Sequence, residues 1–230
     1  MTAIQSEAAT VSSPLGAGAA ALRRFWRPFV LIQASAALLA IAYRTSESFR
    51  AACAVGAGWK SSGGLPFAAA TGALAGGVLP ELAKLLADAK RSAWRGRGGE
   101  ILFNIVFFAF NGVVIDLLYS GEARLFGRDA QVRTIVEKLA FDQFVFSPLW
   151  LIVIVLLFLW RQRGYAVAAT LPALHRGFYR ARVLPLLIPN WLFWIPMVSI
   201  IYALPVALQF LLFVPALGAW SLIMVFIADR

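Results

Sequence analysis

The chain has 230 residues, of which 61% are hydrophobic and 14% charged, with a mean hydropathy of +0.78. Too few polar side chains remain to cover a soluble globule of this size, so water-soluble, disordered, collagen-like and disulfide-scaffold classes are excluded and a bilayer is the expected solvent. The net charge of +10 is spread over short segments between apolar runs, which points to membrane topology and away from nucleic acid.

Residues 1–25 are rich in Ala, Ser, Thr and Gly with one acid, Glu7, and read either as a flexible tail or as an organellar transit segment. The first apolar run, Trp26 to Tyr43, is just long enough to cross a hydrocarbon core of about 30 Å, and a loop is expected from its end to residue 62. Leu65 to Leu86 is a weaker second span. Within it Ala68, Gly72 and Gly76 recur every four positions, share one helix face and permit close approach of a neighbouring helix; a plain Ala/Gly-rich stretch is the alternative. Glu81 and Lys84, three apart near its end, read as a neutralised pair.

Ile101 to Tyr119 and Phe141 to Trp160 are the third and fourth spans. Asn190 to Ala228 is apolar almost throughout. Its 39 residues would make a helix of roughly 58 Å, about twice the bilayer core, so two elements are required, at 190–204 and 206–228, with Pro205 as the break. The fold class is therefore an all-α membrane bundle of about six helices, four to six of them spanning. With the N-terminus on the cytoplasm-like side, the segments on that side carry twelve basic residues and those opposite carry seven, as the positive-inside rule requires. Arg161, Arg163, Arg176, Arg180 and Arg182, interleaved with Tyr165, Phe178 and Tyr179, suit anionic lipid headgroups and equally plain positive-inside anchoring.

Catalytic constellations are largely missing. His175 and Cys53 are the sole histidine and cysteine, 122 residues apart, and make no metal site; Arg95-Gly-Arg-Gly-Gly99 lacks the strand and ending of a phosphate loop. Neither enzyme activity nor a cofactor is expected. Ionisable and amide groups inside the spans are the remaining candidates, because each is costly to bury and tends to face a cavity or a partner. Asn111 and Asp116 lie in the third span, and Asp142 and Gln143 open the fourth. The end of one span and the start of the next share a membrane side, so Asp116, Asp142 and Gln143 are expected to converge in a polar, cation-attracting vestibule. The plainer alternative has Asp142 capping its helix and Asp116 pairing with Lys138 or Arg124.

Lys138-Leu-Ala-Phe-Asp142-Gln143-Phe-Val-Phe-Ser-Pro148 resembles the K-x-x-x-D-Q-x-x-x-x-P signature of the Mpv-seventeen / peroxisomal membrane protein 22 kDa family. Asn190-Trp191-Leu-Phe-Trp194-Ile-Pro196 is similar to that family's N-W-x-x-W-P element, with Ile195 inserted, and Pro205 and Trp220 to its later proline and tryptophan. Asp88 and Arg91 are similar to its D-x-x-R, and Gly112 and Tyr119 to the ends of G-P-x-x-H-x-W-Y. Val113, Asp116 and Leu118 stand where that last motif has proline, histidine and tryptophan, and Ser199, Tyr202 and Ala203 where the family has Gln, Asn and Phe. The likeness covers about residues 64–228, leaving 63–230 as the family-like domain and 26–62 as an added helix and loop. It implies a multi-pass protein of mitochondrial inner, peroxisomal or plastid membranes that forms or regulates a small-solute pore. Its implied partners are membrane lipids and either further copies of the chain or a larger membrane complex, with no nucleic acid. A structural subunit of such a complex is the rival reading, favoured by the added helix and the replaced polar residues.

Overall fold

The computed structural model describes residues 14–87 and 96–228, with side chains over 26–86 and 96–223. Asp88, Arg91 and residues 1–13 of the expected tail lie outside the described residues. The helices are α1 (Pro14–Thr45), α2 (Glu47–Gly72), α3 (Leu79–Ala87), α4 (Gly98–Leu125), α5 (Val132–Phe141), α6 (Ser147–Gln162), α7 (Val167–Thr170), α8 (Leu184–Tyr202) and α9 (Val206–Ala228). One π-helical turn, Ala73–Val78, carries α2 into α3; a second, Asp142–Phe146, carries α5 into α6; a third, Tyr179–Val183, leads into α8. No strand occurs among the described residues. Among the described residues six segments are long and apolar enough to cross a membrane: Trp26–Thr45, Glu47–Leu86, Gly98–Leu125, Val132–Gln162, Tyr179–Tyr202 and Val206–Ile223. The chain is an all-α, multi-pass membrane bundle.

Several boundaries differ from the sequence reading: α4 runs on to Leu125 rather than ending at Tyr119, and α8 begins at Leu184 rather than at 190, with a proline in its first turn where the missing N–H costs nothing. The tail is helical from Pro14, where proline's fixed φ suits a first helical turn and the alanines after it propagate the helix. The loop expected before residue 62 is absent. Only Ser46 separates α1 from α2, and its hydroxyl accepts a hydrogen bond from the Phe49 amide at 3.2 Å, capping α2, whose first turn also carries Glu47. The fourth segment starts at Val132 rather than Phe141, because α5 turns Thr134 and Lys138 inward and carries Arg133 and Glu137 outward, a pattern that hides a helix from a hydropathy reading.

Glu47–Leu86 would measure about 60 Å if straight, twice the hydrocarbon core. Gly64 resolves this. It adopts φ +50° and ψ −135°, which a residue with a Cβ rarely takes, and divides α2 so that the stretch from Leu65 onward crosses the bundle as a separate segment. That stretch touches α4 backbone to backbone. A Cβ on Gly72 would stand 2.5 Å from the Phe108 carbonyl oxygen and 2.9 Å from Gly112 Cα, a Cβ on Gly112 would run into the Ala68 carbonyl oxygen, and one on Gly76 would run into the Phe108 ring. Ala68, Gly72 and Gly76 are all buried on this face.

The core between α1, α8 and α9 is aromatic, with Phe29 edge-on to Phe193 at 5.6 Å and Trp194 stacked on Phe213 at 5.6 Å. Helix α1 runs parallel to α8, its last turn donating from Arg44 to the Ala203 carbonyl at the end of α8 at 3.2 Å, whereas α6 runs antiparallel to α4, with Arg161 at the end of α6 3.4 Å from Glu100 at the start of α4.

Candidate functional site

A partly open cavity of about 640 Å³ is walled by α3, α4, α6, α8 and α9 and by the π-helical turn at Asp142. Along α4 its lining runs from Glu100 to Tyr119. Nineteen residue steps of helix measure about 28 Å, close to the thickness of a hydrocarbon core.

Its polar side chains sort by depth. At the α3 end, buried Glu81 accepts from Lys84 at 2.9 Å and lies 3.4 Å from Arg97, which also donates to Glu100 at 3.0 Å. Arg161 completes the cluster, pairing with Glu100 and lying over the rings of Phe103 and Phe158 at 5.2 and 5.3 Å. In the middle stand neutral amides: Asn104, whose NH2 reaches Glu81 at 3.4 Å, and Asn111, which accepts from the Trp150 indole N–H at 2.9 Å.

At the far end, the turn Asp142–Phe146 winds wider than an α-helix, and it is here that Asp142 and Gln143 face inward. The Tyr202 hydroxyl of α8 lies 2.8 Å from Asp142 Oδ2 and 2.7 Å from Glu122 Oε2 of α4. Lys138 places its ammonium 5.8 Å from the centre of the Tyr202 ring, and Tyr119 packs edge-on against the same ring at 5.7 Å. The Gln143 carbonyl oxygen accepts from the Trp191 indole at 2.7 Å, tying the turn to α8. Outside the spans, Asp129 accepts from the Thr134 hydroxyl at 2.8 Å and the Gln131 amide at 3.0 Å; the Thr134 bond above all holds its carboxyl below the usual range. Among the described residues no group of three or more His, Cys, Asp and Glu side chains is placed to hold a metal ion.

Of the four polar candidates within the spans, Asn111, Asp142 and Gln143 share this cavity, as do Glu81 and Lys84 of the expected pair; Asp116 does not. Its carboxylate is 3.0 Å from Lys60 of α2, neither joining the expected vestibule nor pairing with Lys138 or Arg124. The reason is angular: five helical steps put Asp116 about 140° round the helix from Asn111. Asp142 is not a helix cap either, since the helix runs through it. Arg161 pairs with Glu100 in the ionic cluster; Arg163 donates to the Ala169 carbonyl, and Arg176, Arg180 and Arg182 are exposed. His175 accepts from the Gly177 amide at 3.0 Å in an exposed turn.

Sequence reasoning passed over Glu122, Lys138 and Tyr202 as site residues. Helical spacing carried a signal: Tyr119 and Glu122 are three apart, Lys138 and Asp142 four apart, so each pair lies on one face. Comparison with protein-family models, curated proteins and solved structures finds no match in any of the three.

Proposed function

We propose that this chain passes small polar solutes across a membrane, with the cavity along α4 as their path. One observation carries the reading: Glu100, Asn104, Asn111 and Tyr119 set polar groups at intervals into an otherwise apolar α4 wall of the cavity over about 28 Å, the depth of a hydrocarbon core. The volume, about 640 Å³, lies in the range of small-molecule sites. Amide groups and aromatic walls in the middle suit small uncharged or zwitterionic organic solutes better than bare ions, which need charges or carbonyl rings to replace their water. The likeness of Lys138, Asp142, Gln143 and Pro148 to the Mpv-seventeen signature supports the same reading, and it alone supports an organellar membrane, which cell fractionation tests.

Efflux of radiolabelled glycerol, alanine and glucose from liposomes holding the purified protein tests the proposal. Efflux of at least one probe should exceed that from protein-free liposomes and fall in Asn111→Leu. Rates equal to protein-free liposomes for all three would overturn it. The second reading, a structural subunit, draws on the Trp26–Thr45 stretch of α1, most of which faces outward, and on exposed Trp59. It predicts silence in liposomes together with stoichiometric purification in a larger assembly.

A further inference from the structure

Glu122, Asp142 and Tyr202 come from three separate elements and meet with only 1%, 5% and 1% of their surfaces exposed. The two oxygen–oxygen contacts at the Tyr202 hydroxyl, 2.7 Å to Glu122 and 2.8 Å to Asp142, require two hydrogens, and a phenol carries one. The second hydrogen belongs to a carboxyl group. One acid keeps its proton and donates it to the phenol oxygen, while the phenol donates its own hydrogen to the other, ionised acid.

Charge counting gives the same number by a separate route. Lys138 is 1% exposed and its ammonium makes no hydrogen bond, facing instead the Tyr202 ring. The titratable groups around the cluster are Tyr119 and Glu122 from α4, Lys138 from α5, Asp142 from the π-helical turn and Tyr202 from α8; Asp129 acts on Lys138 from the exposed loop. With Lys138 charged, a single ionised carboxylate leaves the buried cluster neutral, whereas two would leave a net negative charge in a region of low dielectric.

We propose that Glu122, Tyr202 and Asp142 form a proton-binding site, balanced by Lys138, that exchanges its proton with the cavity through Asp142. Of the three, Asp142 is the one that lines the cavity. Beside it Gln143, 1% exposed, presents a side-chain oxygen with no partner, an acceptor for a hydronium or for an O–H or N–H of a solute. On release, one proton leaves the neutral acid for water or solute in the cavity, and the cluster gains one negative charge. The linkage of this proton to solute passage rests on the proposed function; the site itself does not.

Infrared difference spectroscopy of the full-length protein in lipid nanodiscs at neutral pH tests it, comparing H2O with D2O. The wild type should show the carbonyl stretch of a neutral carboxylic acid, moving to lower frequency in D2O. Glu122→Gln and Asp142→Asn should each abolish it, because one ionised acid then balances Lys138 alone, and Lys138→Met should increase it toward twofold. A wild type without the band, or a band unchanged in both acid variants, overturns the proposal. Liposome efflux, measured separately, distinguishes the two readings: a band without efflux keeps the proton site and removes the passage reading, and efflux without a band does the reverse.

Discussion

The contact of α2 with α4 makes Gly112→Ala the sharpest probe of the bundle. The added Cβ meets the Ala68 carbonyl oxygen, and the reciprocal approach, a Cβ on Gly72, stands 2.5 Å from one backbone atom and 2.9 Å from another. Ordinary carbon contacts lie at about 3.5–4.0 Å, so the helices must part by about 1 Å, and backbone cannot turn aside as a side chain does. Overpacking of this kind costs about 1–3 kcal/mol. Gly121→Ala on the same helix is the matched control, because nothing lies within 4 Å of its added Cβ and it gains the same helix propensity of about 1 kcal/mol. In one detergent, Gly112→Ala should therefore melt roughly 2–12 °C below Gly121→Ala. Solute efflux should change as well, since Asn111 is next in the chain and moves with α4. Equal melting temperatures for the two variants would refute the close-packing argument.

Asp116→Asn strands the Lys60 ammonium and should destabilise by about 1–3 kcal/mol, less than a fully buried pair because both side chains keep 11–16% exposure. In urea or thermal titration, Lys60→Met combined with Asp116→Leu should recover most of that loss; simple additivity of the two changes would argue against the pair. Trp150→Phe removes the indole donor to Asn111 at a cost of about 1 kcal/mol and leaves the amide free to turn, so the ratio of efflux rates among uncharged probes should shift. An unaltered ratio would place Asn111 outside the path. Asp129 should titrate below the ordinary value of about 3.9, and Thr134→Ala should raise its titration point toward that value in NMR of aspartate-labelled protein. Since the folded carboxyl lies below its unfolded value, its stabilisation is present above about pH 4 and is lost as pH falls through the folded value. A titration point unmoved by Thr134→Ala would dismiss the hydrogen bond as its cause.

Hydropathy made the six crossings legible because each apolar run is long against the bilayer, and Pro205 separates α8 from α9. Helix ends were less legible. Charged residues on the outward face of α5 and alternating small and polar residues over 47–63 lower local hydropathy without breaking the helix, and propensity with a Ser46 cap carries it through. Asn111, Asp142 and Gln143 could be chosen because polar groups in an apolar run are few. Asp116 fits the same criterion, yet its partner, Lys60, lies in what reads as a loop. Tyr202 is hidden for the opposite reason: a tyrosine near the end of an apolar helix reads as an interfacial ring, and only the approach of α4 and of the π-helical turn at Asp142 to α8 turns its hydroxyl into a bridge between two acids.

The depth at which charge is placed explains how a bundle with this many buried ionisable groups can sit in a bilayer. Glu100 and Glu122 are twenty-two residues apart on α4, about 33 Å, a separation that matches the two edges of a hydrocarbon core of about 30 Å. Around each edge carboxylates gather cations: Glu81 and Glu100 with Lys84, Arg97 and Arg161 at one, Glu122 and Asp142 with Lys138 at the other. Midway between them Asn111 lines the cavity, half-way through the core where an ion is most expensive and an amide costs less. On the proposed path an uncharged solute would meet charge only near the edges, where water and headgroups are within reach. A proton held between Glu122 and Asp142 keeps the second edge neutral, and its release to the cavity would alter the field at one end of the path while leaving the amide-lined middle unchanged.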